Sequence, residues 1–129
     1  MNTVTELLIE ARDLISEPGR WTQGVYACDA LGYAIDWGSP EAVCWCATGA
    51  ICKAAESIQE HGKRRALIER ATVELRIAIG HNGVTAFNDH RTHAEVLAAF
   101  DRAINDSHTH VEVLEMFDEA IEKSRSINS

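Results

Sequence analysis

Apolar residues recur at intervals of three and four along much of this chain, which is the spacing of an amphipathic helix. The first stripe predicts a helix from about Val4 to Ser16, opened by a T-x-x-E capping box that begins at Thr3. Two later stripes, 92–104 and 109–121, repeat each other with identical residues at nine of thirteen positions. The short connection between these two repeats predicts a C-terminal pair of antiparallel helices.

The longest apolar stretch lies between Ser39 and Gly62 and predicts a central helix over about 40–61. Ser39 is a favourable N-cap, and Gly62 is a natural residue to follow a helix end. The first half is apolar on nearly every side, which is typical of a helix enclosed by others. Gly49 would weaken a helix interior by about 1 kcal/mol. We therefore interpret it as a close backbone crossing or as room for the Trp45 ring.

The remaining pattern predicts a short helix from about Gln23 to Leu31, a longer helix from Lys63 to Ile79, and an extended connector over Val84–Phe87. The least regular region is Arg20–Gly38, which holds two of the three tryptophans, both tyrosines and three glycines. Irregular connections of this kind often carry binding residues. The pattern as a whole predicts an all-α, compact single domain of five to six helices around the central helix.

Composition narrows the function classes. A chain of 129 residues forms one domain, 1–129, and a net charge of −8 disfavours binding to nucleic acid or to an anionic membrane surface. Acidic residues within the first twenty positions do not fit a signal or transit peptide. No apolar run approaches the length of a membrane span. We therefore expect an acidic, cytoplasmic protein.

The cysteines and histidines were considered as metal ligands. Three of the four cysteines lie within the predicted central helix, and the steps between them turn the side chains apart, so we expect buried, reduced thiols: Cys28, Cys44, Cys46 and Cys52. Four histidines at the starts of the last two helices are weak metal candidates that match no established spacing: His90, His93, His108 and His110. The sequence predicts neither a metal site nor a cofactor.

Two acidic positions are unusual for their surroundings. Asp29 interrupts an apolar segment, and Asn88-Asp89 precedes a helix that Thr92 already caps. Each could simply cap a turn or face solvent. The functional interpretation instead joins them, with the indole of Trp21 or Trp45, in one polar pocket. Cys46 is the candidate thiol for nucleophilic catalysis, but the sequence pairs it with no base, and the common catalytic motifs are absent.

Three blocks of the chain resemble a known family. They are W-x-x-G-x-x-A-x-D-x-x-G at 21–32, A-V-x-W-C-x-x-G-A at 42–50, and F-N-D at 87–89 followed by E-V-L-x-x-F-D-x-A-I at 95–104. In this order they resemble, over residues 5–105 or so, a domain of unknown function found in small, mostly helical, bacterial and phage-associated proteins. That family has no activity to transfer. The resemblance implies that six residues belong to one feature: Trp21, Asp29, Trp45, Cys46, Asn88 and Asp89.

Two functions remain open at this point. The first is a non-enzymatic binding or interaction module, for example a protein-binding inhibitor of mobile-element origin, whose surface combines the Trp21–Trp37 connection with Asn88–Asp89. The alternative is a small-molecule-binding protein or minor hydrolase that uses Asp29, Asn88, Asp89 and Cys46. An enclosed pocket would favour the small molecule, and an exposed apolar surface would favour a protein partner.

Overall fold

A computed structural model describes residues 3–80 and 83–109. Within these residues the chain forms five helices and one two-stranded sheet: α1 (Val4–Leu14), β1 (Ala27–Cys28), β2 (Cys44–Trp45), α2 (Ala47–Ala54), α3 (His61–Ala78), α4 (Val84–His90) and α5 (93–109). Short 3₁₀ helices occupy Pro18–Arg20 and Ala55–Ser57. The predicted compact helical domain is confirmed. In the part of the chain described, no helix has the length and apolar character needed to cross a membrane.

Helix α1 forms as its sequence predicts. The Thr3 hydroxyl accepts a hydrogen bond from the Glu6 amide at 3.1 Å, so the predicted capping box opens the helix. The apolar stripe is buried at Leu7, Leu8 and Ala11. Burial of this stripe against α2 and α3 supplies most of what stabilises the helix, because a segment this short is marginal in isolation.

Helices α1 and α5 run antiparallel. Contacts descend along α5 as they ascend along α1, from Thr5–Ser107 (2.9 Å) through the ion pair Arg12–Asp101 (2.5 Å) to His93 Nε2 against the carbonyl of Ile15 (2.6 Å). Between these polar contacts α5 buries an apolar face that consists of Val96, Ala99, Phe100 and Ala103. The core of the domain therefore lies among α1, α2, α3 and α5.

The predicted central helix over 40–61 is much shorter than expected. Ser39 caps a tight turn, with its hydroxyl accepting from the Glu41 amide at 3.2 Å, and the chain then extends into β2 before α2 begins. Gly62 does not follow a helix end but lies in the first turn of α3. The apolar stretch was misinterpreted because buried strand residues and buried helix residues look alike in sequence.

The predicted helix over Gln23–Leu31 is also wrong, because this segment contains β1 instead. Ala27 pairs with Trp45, and Cys28 with Cys44, in antiparallel register. Gly24, inside the predicted helix, has a φ value of +81°, which an α-helix does not allow. The structure also joins Cys28 to Cys44 in a disulfide, so the expectation of buried, reduced thiols is wrong for these two. Cys46 is buried and Cys52 is half-buried.

Three further boundaries concern the C-terminal half. Lys63–Ile79 was predicted closely, since α3 spans His61–Ala78. Val84–Phe87 was predicted as extended but forms the first turns of α4. Residues 105–109 continue α5, so the predicted turn at 105–108 is wrong. Most of the second repeat, 109–121, lies outside the described residues.

Candidate functional site

Asn88 on α4 is the best-connected polar side chain near the predicted pocket. It is fully buried, and its Oδ1 accepts from the indole Nε1 of Trp21 at 2.8 Å and from the Ala47 amide at 3.0 Å. Its Nδ2 donates to the carbonyl of Thr22 at 3.0 Å. One amide therefore joins the 21–24 segment, the start of α2 and the end of α4. A buried amide with each polar atom bonded fixes its neighbours strongly.

The neighbouring Asp89 holds the next part of the same segment. Its Oδ1 accepts from the Gly24 amide at 2.8 Å and from Asn88 Nδ2 at 3.3 Å. The Gln23 side chain reinforces this contact by donating to the carbonyls of Asn88 (3.0 Å) and Arg91 (2.9 Å). Within residues 3–80 and 83–109, the second oxygen of Asp89, Oδ2, accepts no hydrogen bond. Asp89 thus presents one anchored and one available oxygen.

Cys46 is the N-cap of α2. Its backbone is extended, and its Sγ accepts from the Gly49 amide at 3.3 Å. Burial raises the pKa of the Cys46 thiol above its ordinary value, and the negative charge of Asp89 raises that pKa as well, against the lowering effect of the Gly49 and Thr48 amides. The protonated thiol is therefore favoured, and a protonated thiol is a poor nucleophile.

Gly49 lies where α2 meets the chain just before β1. A Cβ atom at this position would overlap the carbonyl oxygen of Tyr26 and lie 3.0 Å from its carbonyl carbon. The same Tyr26 oxygen accepts from the Cys46 amide at 3.1 Å. The predicted close backbone crossing at Gly49 is confirmed. It fixes Tyr26 against the first turn of α2.

Trp45 holds both ends of the Trp21–Trp37 connection through hydrogen bonds. Its ring is buried, and its indole Nε1 donates to the carbonyl of Trp37 at 3.0 Å. Its own carbonyl accepts from the Thr22 amide at 3.1 Å. Trp45 therefore links two parts of the long connection, and its indole nitrogen is used in that link.

Asp29 plays a more local part. Its Oδ1 accepts from the amides of Leu31 (3.0 Å) and Tyr33 (2.9 Å), within its own turn. This is the turn-capping interpretation that the sequence left open. The structure thus brings five of the six predicted residues into one connected region, while Asp29 shapes the neighbouring turn.

A cavity of about 640 Å³ opens beside this network. Its walls come from the long connection, from the start of α2 and from α4: Gly24, Val25, Tyr26, Ala34, Ile35, Asp36, Trp37, Cys46, Thr85 and Asp89. Of the predicted site residues, only Cys46 and Asp89 line it. The sequence indicated the aromatic connection that holds Tyr26 and Trp37, but gave no sign of Thr85, because 84–87 read as an extended connector.

The histidine candidates do not converge in the part of the chain described. His93 Nε2 contacts the Ile15 carbonyl, and its ring lies 5.3 Å from the Trp21 ring. His90 is exposed at the end of α4, and His110 lies outside the described residues. Among residues 3–80 and 83–109, no group of three histidine, cysteine or acidic side chains is placed to hold a metal ion.

A second cavity, of about 430 Å³, lies where α3, α4 and α5 meet. Its basic residues already have partners. Arg91 pairs with Glu95 at 3.3 Å, and Arg102 donates to the Ala78 carbonyl at 3.0 Å, at the end of α3. These contacts stabilise helix ends, so the first cavity is the better candidate for binding.

Comparison with known families places the chain in one of them. The sequence model of a family of unknown function, DUF6197, matches residues 1–106. The chain belongs to this family. The match contains all three blocks that carried the resemblance, and with them every residue that lines the first cavity. No curated protein and no solved structure is significantly similar to the chain.

Proposed function

We propose that this DUF6197 member is a non-enzymatic binding module. It holds a partner protein at the first cavity and at the loop beside it, which is the Trp21–Trp37 connection. One observation carries the proposal. The segment that forms the cavity wall also exposes large apolar side chains, with Val25 37%, Tyr26 55%, Tyr33 68% and Leu31 82% exposed. Val25 and Tyr26 line the cavity, and Leu31 and Tyr33 lie in the turn that joins two lining segments. Exposed aromatic and aliphatic residues beside a concave site are typical of protein interfaces.

The surroundings of the loop support this proposal. The loop has little regular structure, but Asn88, Asp89 and Trp45 fix its backbone at Thr22, Gly24 and Trp37. A loop held in one conformation loses less entropy on binding than a free one. The hydrogen bonds around Asn88 thus prepare the surface for a partner.

A small-molecule-binding protein is the second candidate. The cavity volume lies within the range of small-ligand sites, about 300–1,000 Å³. However, Trp21 and Asp29 do not line the cavity, so the enclosed pocket that would favour this function is missing at the predicted place. Hydrolysis through Cys46 has less support, because the raised pKa of its thiol disfavours the thiolate.

The experiment is a pulldown from a cell lysate. It compares the proteins retained by the immobilised wild-type chain with those retained by Leu31→Ser/Tyr33→Ser, the loop variant. The matched control is Ile9→Ser/Val73→Ser, which removes two exposed apolar side chains from α1 and α3. We expect a protein that the wild type and the control retain and the loop variant loses. Titration of the purified partner should then show at least a tenfold weaker affinity for the loop variant.

Equal retention by all three chains would overturn the proposal. A thermal-shift screen of metabolites, run on the wild type and the loop variant, tests the second candidate. We further propose that the chain, of bacterial or phage-associated origin, inhibits the partner that it binds. An assay of the identified partner's activity with and without the chain tests this inhibition.

A further inference from the structure

We infer that the first cavity receives a basic side chain, lysine or arginine, of the partner protein. This inference rests on the proposed function and names the chemistry of the partner. Two acidic residues, Asp36 and Asp89, are among those that line the cavity, and its lining contains no lysine, arginine or histidine. A cavity whose ionisable groups at neutral pH are acids attracts positive charge.

The two carboxylates still have capacity for a cation. Asp89 uses Oδ1 for the Gly24 amide and for Asn88, and its Oδ2 has no hydrogen bond within the described residues. Across the same residues, the Asp36 side chain makes no hydrogen bond and no ion pair. An incoming cation would therefore gain charge-assisted hydrogen bonds and displace no existing partner of either acid.

The other walls suit the apolar part of a basic side chain. Val25 and Ile35 offer aliphatic surface, and Tyr26 and Trp37 offer aromatic rings. Lysine and arginine bury their carbon stems along such surface and keep the charged end near oxygen acceptors. Aromatic rings also attract a cation placed over their faces. Acid and aromatic groups thus select the same kind of ligand.

Two exposed residues in the turn between lining residues Tyr26 and Ala34 argue that the cation belongs to a protein. A free amine would contact the cavity alone and would leave Leu31 and Tyr33 in solvent. A protein that inserts one basic side chain would also cover these residues, which remain 82% and 68% exposed in this chain. Interfaces commonly surround one deeply inserted anchor residue with such flanking contacts.

The test uses acetylated, amidated tripeptides with a variable residue between two alanines. The variable residue is arginine, lysine, citrulline or norleucine, and binding is followed by amide NMR shifts of residues 24–37, 46, 85 and 89. Citrulline keeps the shape of arginine without its charge. We expect the arginine and lysine peptides to shift these amides and to bind at least about threefold more tightly than citrulline and norleucine, with the difference shrinking at high salt.

Variants assign the effect to the cavity acids. Asp36→Asn should weaken the arginine peptide about threefold, and Asp36→Asn/Asp89→Asn about tenfold. The single variant changes a side chain without hydrogen bonds in the described structure, so it preserves the fold. Asp13→Asn removes the same charge from α1, away from the cavity lining, and should leave the affinity unchanged.

Two results would overturn the inference: citrulline binding as tightly as arginine, or Asp13→Asn weakening binding as much as Asp36→Asn. Failure of the proposed function looks different. If the captured partner depends on Leu31 and Tyr33 but is insensitive to Asp36→Asn, the binding module stands and the basic anchor is wrong. If the cationic peptides bind but no captured protein depends on the loop, the cavity serves a free cation and the protein partner is wrong.

Discussion

The helical framework and the connecting region are stabilised by different interactions. In the framework, α1, α3 and α5 bury apolar faces against one another, and neighbours in sequence supply the caps. In the connecting region, 21–46, the two strands have two residues each, and the backbone is fixed by side chains from α4 and by the indole of Trp45. The hydrogen bonds between α4 and residues 21–24 span 65 to 67 residues of sequence.

This difference has a functional consequence. The cavity belongs mainly to the connecting region, so the proposed binding surface depends on a few long-range polar contacts. Segments with few apolar contacts can open locally while the rest of a protein stays folded. Variants of the contacts around Asn88 should therefore loosen the surface before they unfold the framework.

Asn88→Ala should have the largest effect. The change removes the acceptor for Trp21 Nε1, in a half-buried side chain, and for the buried Ala47 amide, so both donors lose their partner. We expect a loss of about 4 kcal/mol in the free energy of unfolding, measured by urea denaturation. Asn105→Ala, an exposed position on α5, is the matched control and should change this energy by less than about 0.5 kcal/mol. Similar losses in both variants would refute the long-range role of Asn88.

Reduction of the Cys28–Cys44 disulfide should cause the second-largest loss in the free energy of unfolding. The bond joins residues 16 apart in sequence, across the β1–β2 pair, and its Cα atoms lie 5.3 Å apart. A cross-link over a loop of this size contributes about 3 kcal/mol through the unfolded state. We expect two free thiols per chain in denaturant without reductant and four after reduction. Four free thiols before reduction would show that the disulfide does not form and that the connecting region folds without it.

Gly49→Ala tests the crossing of the two regions. The new methyl group would overlap the Tyr26 carbonyl oxygen, so α2 or the connecting segment must move. We expect a loss of about 2 kcal/mol. The control is Gly62→Ala in α3, where a Cβ meets nothing within 4 Å and alanine should stabilise the helix by about 0.5 kcal/mol. If both substitutions stabilise the chain, the close crossing is refuted.

The sequence predicted the framework well because its signals are local. Capping boxes and apolar stripes placed α1 and the start of α5, and the stripe alone placed α3. It failed for β2 and α2, where the long-range pairing of Cys44 and Trp45 with β1 overrides helical propensity. No spacing in sequence could reveal that pairing.

The candidate site was predicted only in part. The family blocks singled out Asn88 and Cys46, and the structure brings both to the start of α2. Their polar character is visible in the sequence. The sequence does not show that the Asn88 side chain is bonded to the Trp21 indole and to the backbone of Thr22 and Ala47. Asp36 and Trp37 line the cavity because tertiary packing brings their segment beside α2 and α4. No local pattern in the sequence predicts that placement.

Asp29→Ala should have a smaller effect. Its carboxylate caps the amides of Leu31 and Tyr33 in an exposed turn, where water can replace it in part. We expect a loss of about 1 kcal/mol and faster hydrogen exchange at these two amides. Asp29→Asn keeps an acceptor and should recover most of the stability. Unchanged exchange in Asp29→Ala would show that the turn needs no side-chain cap.

The smallest effect should come from the framework itself, at the capping box of α5. Hydrogen bonds from the Thr92 amide and then the Thr92 hydroxyl hold the pKa of Glu95 below its ordinary value. Because the folded-state pKa is lowered, this contribution to stability is fully present at pH values above the ordinary glutamate pKa. It is lost as the pH falls through the lowered pKa.

Thr92→Ala removes the hydroxyl but keeps the amide. The pKa of Glu95, followed by NMR titration, should therefore rise toward its ordinary value, and the unfolding free energy at neutral pH should fall by about 0.5 kcal/mol. Thr85→Ala provides a control, because Thr85 is also exposed but makes no side-chain hydrogen bond within the described residues. A pKa of Glu95 that does not respond to Thr92→Ala would mean that the Thr92 backbone amide, which the variant keeps, lowers it without help from the hydroxyl. In that case the start of α5 would depend on the backbone half of the capping box more than on the threonine side chain.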